Sequence, residues 1–179
     1  MALRDDAHVT VVIADYIGVD ASGKINVVGG GWTTAGAQPN GFSAAQYLAI
    51  LVDIASGHVG EEFTLTVALH AADSGEIIAL PGPTGAAEAL RVQQLSRVEA
   101  PPTQPGIYVP SSMFSRVQLV VAFANGLPLA AGRRYSWRVE IDGAGQPDWR
   151  ADFLVAGPPP NPVIGGPANP ASIPGISPI

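Results

Sequence analysis

Apolar and polar residues alternate with a period of two in three stretches of this chain. Phe63, Leu65, Val67 and Leu69 are interleaved with Thr64, Thr66, Ala68 and His70. Tyr135, Trp137, Val139 and Ile141 are interleaved with Ser136, Arg138, Glu140 and Asp142, and Val117, Leu119, Val121 and Phe123 give a third run. Successive side chains of a strand point to opposite faces, so each run predicts a strand with one buried face. Val9–Ile17 and Tyr47–Ile54 are nearly continuous apolar runs instead, which suit strands covered on both faces or a core strand beside an assembly contact.

The breaks between runs carry turn chemistry. Asp20-Ala-Ser-Gly23, Asp73-Ser-Gly75 and Asp142-Gly143-Ala-Gly145 each place an Asp or Ser near a Gly. An Asp side chain bonds the backbone two residues on, and Gly accepts positive φ at little cost. These segments predict hairpins joining the runs that end near Val19, Ala72 and Ile141 to those beginning near Ile25, Ile77 and Asp148. The predicted strands are 8–18, 24–30, 45–55, 62–72, 76–80, 89–98, 114–124 and 133–142, with a closing strand at 148–155. Gly85–Leu90 reads as a short helix, and 81–86 and 100–112 read as Pro-rich loops. Repeated hairpins without a helical period indicate an all-β antiparallel sandwich, of jelly-roll or immunoglobulin-like type, over residues 1–156.

Residues 157–179 differ in kind. Eight of the last 22 residues are Pro, and no side chain after Asp152 is charged. Proline lacks the N–H and fixes φ, which excludes helix and central strand and leaves an extended arm. Solvated linkers carry Ser, Glu or Lys, whereas this arm carries Val163, Ile164, Ile173, Ile176 and Ile179. Ordering a residue costs about 1–2 kcal/mol. A fully buried Ile or Val returns about 1.5–3 kcal/mol. The arm is therefore expected to order where a partner surface buries those side chains. At ~3.1 Å per residue it would reach ~65–70 Å. Ile107 and Tyr108, in the unusually apolar 100–112 loop, are candidate contacts of the same kind.

Composition narrows the chemistry. Of 179 residues, 47% are hydrophobic and 13% charged, and the net charge is −6. A chain this apolar is no acidic disordered polymer, and it offers no basic field for nucleic acid. With no cysteine there is no disulfide scaffold, thiolate metal site or cysteine nucleophile. Acidic residues near the N-terminus occupy the place where a secretion signal carries positive charge. The longest apolar stretch, 117–131, is interrupted by Gln118, Asn125, Gly126 and Pro128, so no membrane helix is expected.

Individual motifs are weak. Gly18 to Lys24 spells the start of a phosphate-binding loop, but Ile25 stands where a hydroxyl must hold Mg²⁺, and strand follows where helix is needed. Gly29-Gly30-Gly31-Trp32 reads as a bulge or close backbone crossing with Trp32 packed over it. His8, His58 and His70 lack metal-ligand spacing, so no metal and no cofactor are expected. A Ser–His–Asp arrangement has no Gly-x-Ser-x-Gly elbow to support it. Asp15 and Asp53 read as strand carboxylates tied to backbone or to an Arg rather than as a glycosidase pair. Trp137 and Tyr135 lie on an apolar face and read as core, whereas Trp149, after Pro147-Asp148, is the tryptophan expected at the surface. Arg133-Arg134 is too small a basic cluster for nucleic acid.

The segment Ala14-Asp15-Tyr16 through Val19-Asp20, then Gly23-Lys24-Ile25-Asn26-Val27-Val28-Gly29-Gly30-Gly31-Trp32, resembles a small β-sandwich family of actinobacterial genomes and their phages. The resemblance brings no catalytic residues with it, and the Pro-rich arm departs from the shorter members. Together these features lead to the expectation of a non-enzymatic tailed-phage virion protein, a capsid decoration or minor capsid protein in a symmetric assembly. Its arm would grip other virion proteins, with no nucleic-acid or membrane partner. The alternative is a module that binds a glycan or cell-surface polymer through exposed aromatic rings.

Overall fold

A computed structural model describes residues 2–82, 85–101, 110 and 113–157. Twelve strands are formed among them: β1 Ala7–Ala14, β2 Tyr16–Val19, β3 Ile25–Val28, β4 Thr34–Gly36, β5 Gln46–Ile54, β6 Glu62–Ala71, β7 Ala79–Pro81, β8 Ala87–Ala89, β9 Arg91–Arg97, β10 Ser115–Phe123, β11 Arg134–Ile141 and β12 Arg150–Ala156. The only helical segments described are two short 3-10 turns, Leu3–Asp6 and Ser56–His58. No described helix is long and apolar enough to cross a membrane.

The strands form a β-sandwich. One sheet has the order β1-β5-β10 and the other β4-β12-β11-β6-β9. All pairings are antiparallel except β12 with β4. The alternating runs supply the core. Phe63, Leu65, Val67 and Leu69 of β6 and Tyr135, Trp137, Val139 and Ile141 of β11 face Leu48, Ile50, Val52 and Ile54 of β5, and all are buried. The intervening residues point to the outer face, where Thr66, His70 and Ser136 are nonetheless covered.

Two core contacts set the approach of the sheets. The Trp137 ring stacks on Phe123 of β10 with centroids 5.2 Å apart. Its Nε1–H donates to Gln46 Oε1 at 3.2 Å. Gln46 is itself completely buried, and its Nε2 donates to Ser43 Oγ at 3.3 Å. At the sandwich end, the Tyr135 hydroxyl accepts from Ala130 N at 2.9 Å and donates to Ala130 O at 3.3 Å, which pins the preceding loop.

The continuous apolar runs have a local cause. At Asp15 the chain leaves the first sheet, and β2 and β3 fold over its outer face as a hairpin. Ile17 is buried there with Ala14 and Ala49, flanked by Val12, Ile25, Tyr47 and Val120. Gln118 Nε2 of β10 donates to Gly23 O at 2.6 Å and holds the hairpin tip. The expected strand 8–18 is thus two strands broken at Asp15, and β1 and β5 are apolar on both faces because each has two layers to fill.

Two further expectations need correction. Gly85–Leu90 is not helical: Ala87–Ala89 forms β8, paired with β7. Six residues are too few to repay helix nucleation, whereas Gly82 and Gly85 close a turn through a 2.9 Å bond. The strand expected at 76–80 is only Ala79–Pro81, preceded by a single bridge between Ile77 and His70. Strand β4 was not anticipated at all. The arm at 158–179 and the loop positions Ile107 and Tyr108 lie outside the described residues, and so do Val163, Ile164, Ile173, Ile176 and Ile179.

The two 3-10 turns are tied by one side chain. His58, 7% exposed, places Nε2 at 2.9 Å from Asp6 Oδ2 and Nδ1 at 3.1 Å from Glu61 Oε1. The bond to Asp6, with Glu61 adding to it, raises its pKa above the ordinary 6.5. A raised folded-state pKa stabilises the fold fully below the unfolded value, and that contribution disappears as pH rises through the folded value. The stability difference between wild type and His58→Gln is therefore expected to be largest below about pH 6 and to shrink through the window above about 6.5. Urea unfolding of both proteins across pH checks this, and a difference that grows toward alkaline pH would reverse the assignment.

Candidate functional site

Two surfaces stand out once the core is removed from consideration. The first is the β2–β3 hairpin. Register pairs Tyr16 with Val28, Ile17 with Val27 and Val19 with Ile25. Ile17 is buried, but Tyr16, Val19, Val27 and Val28 are 53, 51, 44 and 59% exposed. The turn is rigid. Asp20 Oδ1 accepts from Ser22 Oγ, Ser22 N and Lys24 N, at 2.7, 2.8 and 3.0 Å. The Ser22 hydroxyl bond, then the Lys24 amide, hold this carboxyl below its usual pKa. Lys24 is accordingly a hairpin residue, and no phosphate loop exists here. The hairpin root is a close crossing: Gly31 N donates to Ile13 O at 2.8 Å, and a Cβ at Gly29 would collide with the Asp15 carboxylate.

The second surface is the outer face of the five-stranded sheet. Register fixes it row by row. His70, Ser136 and Asp152 share one row across β6, β11 and β12. Arg91, Ala68, Arg138 and Arg150 share the next across β9, β6, β11 and β12. Gln93, Thr66 and Glu140 form the third, where Gln93 Nε2 donates to Thr66 Oγ1 at 3.2 Å. A concavity of about 400 Å³ opens over this face, lined by His70, Arg138, Glu140 and Arg150, with Gly145 to Pro147 as its wall.

The first row brings a Ser, a His and an Asp together, yet it is no hydrolytic triad. Ser136 is 1% exposed, and its Oγ has no hydrogen-bond partner among the described residues. The imidazole does not engage it; His70 Nδ1 lies 2.8 Å from Gly75 O instead. A nucleophile needs both the base and access to substrate.

The remaining candidates are dispersed. No group of three or more His, Asp or Glu side chains is placed to hold a metal among the described residues. Asp53 is gripped by Arg116 through two 2.7 Å bonds, as a strand carboxylate tied to an Arg, and Asp15 lies at the glycine crossing. Trp137 is core as expected. Trp149 is the correction: at 2% exposure it is buried, because the turn after Ile141 folds its ring inward while its carbonyl accepts from Val139 N at 2.9 Å. Trp32 packs edge-on against Phe153 at 6.0 Å. Sequence reasoning missed both surfaces. The hairpin was expected but the exposure of its valines was not, and the arginine row is a product of register that no local motif announces. No family model, curated protein or solved structure matches the chain.

Proposed function

We propose that the protein is a non-enzymatic structural subunit that docks onto other proteins of a larger assembly, and that the assembly is a tailed-phage virion in which it serves as a decoration or minor capsid protein. The observation that carries the docking reading is the β2–β3 hairpin. Ile17 is buried beneath it, whereas Tyr16 and Val28 stand opposite one another on the outward face, and Val19 and Val27, on the face of Ile17, remain half exposed at its margins, so the hairpin presents four apolar side chains on a rigid support. Grouped apolar exposure of this kind marks protein contacts, in contrast to scattered single residues. Met113 and Phe114, 48 and 57% exposed beside the Asp53–Arg116 pair, add a second apolar point. The virion assignment rests on the sequence resemblance and on the uncharged, Ile-bearing 158–179 segment. Repeated weak anchors on a symmetric lattice would multiply into firm attachment.

The test is incorporation into particles. The substitution Val28→Lys, at an exposed outward position, is expected to leave the circular dichroism spectrum intact and to lower occupancy in purified particles at least ~10-fold, since the lysine must be desolvated against an apolar partner. Truncation after Gly157 is expected to give a folded domain that no longer incorporates. Full occupancy of the lysine variant sinks the hairpin as the docking surface. Absence of the wild-type protein from every purified particle sinks the virion assignment.

A further inference from the structure

We propose that the concavity on the outer face of the five-stranded sheet binds a phosphate group, free or as a monoester. The argument is independent of the assembly reading. It starts from charge placement. The chain has only nine Lys and Arg residues against fifteen Asp and Glu, yet three of the nine, Arg91, Arg138 and Arg150, fall in one row across four strands. Arg138 and Arg150 are direct antiparallel partners. Like charges directly opposite one another are destabilising, and sheets ordinarily avoid the pairing. The small Ala68 between Arg91 and Arg138 opens space within the row.

The charges are only partly compensated. Arg150 Nε lies 3.5 Å from Asp152 Oδ2, in a half-exposed pair worth little to stability. Arg138 has no ion pair among the described residues, and its Nε is buried without a hydrogen-bond partner. Ser136, two residues away on the same face of β11, also has a buried, unpartnered hydroxyl. Two of the four such atoms found among the described residues thus fall at successive outward positions of one strand, beside the concavity. A buried donor left unsatisfied costs about 1–3 kcal/mol, more when charged. An oxyanion seated between Arg138 and Arg150 removes the repulsion by the charge-assisted bonding that guanidinium forms with phosphate, and Arg138 Nε, closed to solvent, joins it once the side chain shifts.

The other lining groups select the type of anion. His70 Nδ1 points to the Gly75 carbonyl, which only accepts, so Nδ1 carries the proton and a neutral ring leaves Nε2 as an acceptor. Glu140 lines the same concavity and is also an acceptor. Acceptors beside two guanidiniums suit an anion that keeps a proton of its own. Hydrogen phosphate keeps a proton near neutral pH and sulfate has none to offer, while a phosphomonoester, with its second pKa about 6, keeps one only in its monoanion. The concavity, at about 400 Å³, exceeds a bare phosphate and leaves room for an ester substituent.

Titration of inorganic phosphate into the full chain at constant ionic strength, followed by calorimetry and by the Arg138 Nε–H resonance, tests the site. The expected result is saturable binding with a shift of that resonance, sulfate at least ~5-fold weaker, and Arg138→Gln at least ~10-fold weaker with an unchanged unfolding transition. Arg150→Gln provides a second reading should Arg138→Gln fail to fold. A methyl phosphate arm distinguishes the sources: binding within a few-fold of inorganic phosphate assigns the site to esters as well, and loss of binding assigns it to the free ion. No saturable binding to wild type, sulfate bound as tightly as phosphate, or full affinity in a folded Arg138→Gln or Arg150→Gln variant overturns the proposal.

Discussion

Trp137→Ala is expected to lower the unfolding free energy by about 3–5 kcal/mol, the range for deleting a fully buried Trp. Three losses combine at this position. The side chain is completely buried between the sheets, so its apolar area is replaced by a cavity. The stack on Phe123, at 5.2 Å, is the direct aromatic link from β11 to β10 and disappears with it. Gln46 Oε1 then loses its donor while remaining at 0% exposure. Trp137→Phe separates the terms. It keeps a ring for Phe123 but not the N–H, and is expected to cost about 1–3 kcal/mol, largely the unsatisfied amide. Urea unfolding with both variants is the measurement. A Trp137→Ala cost below about 1 kcal/mol would mean that the sheets are not held together at this point.

Gly126→Ala is expected to cost about 2–4 kcal/mol, from backbone strain at positive φ plus overpacking. Gly126 has φ +71°, and a Cβ there would run into the Ser43 carbonyl, a backbone atom with no freedom to move aside. That carbonyl belongs to a fixed crossing: Ser43 N donates to Leu127 O at 2.7 Å, and Leu127 N donates to Ser43 Oγ at 3.1 Å. Gly132→Ala is the matched control. Its φ is +76°, but no atom lies within 4 Å of the added Cβ. It should therefore pay the conformational cost alone, about 1 kcal/mol. Equal costs at the two glycines would show that the crossing yields to the methyl group.

The parts of this fold legible in sequence are those fixed by local pattern. The period-two runs at 63–69 and 135–141 put the correct faces into the core, and Asp20–Gly23 made the hairpin it was expected to make. Double-sided burial of Val9–Ile17 and Tyr47–Ile54 was readable as a state but not by cause, since nothing local says that residues 16–28 fold back over their own sheet. Non-local pairing was invisible. Thr34–Gly36 offers one buried residue, Ala35, and becomes a strand only because β12, far along the chain, lies parallel beside it. Trp149 misled because Pro147-Asp148 is a turn signal, and turn residues are usually displayed. The arginine row is the extreme case: three positions on three strands meet through register alone, and a one-residue slip of β12 would carry Arg150 to the opposite face.

The closing strand has a practical corollary for handling the polypeptide. Leu154, Val155 and Ala156 are flanked on one side by Thr34, Ala35 and Gly36, and on the other Val155 exchanges bonds with Gly132 and Arg133. Ala37 N adds a 2.8 Å bond to Ala156 O. Backbone donors and acceptors are thus engaged up to the residue before Gly157 and are lost one by one in any shorter fragment. Gly157 is accordingly the cloning boundary. A reporter or affinity label joined after it leaves from a clamped point at the sandwich margin, and its spacing from the globule is set by the number of residues placed between them.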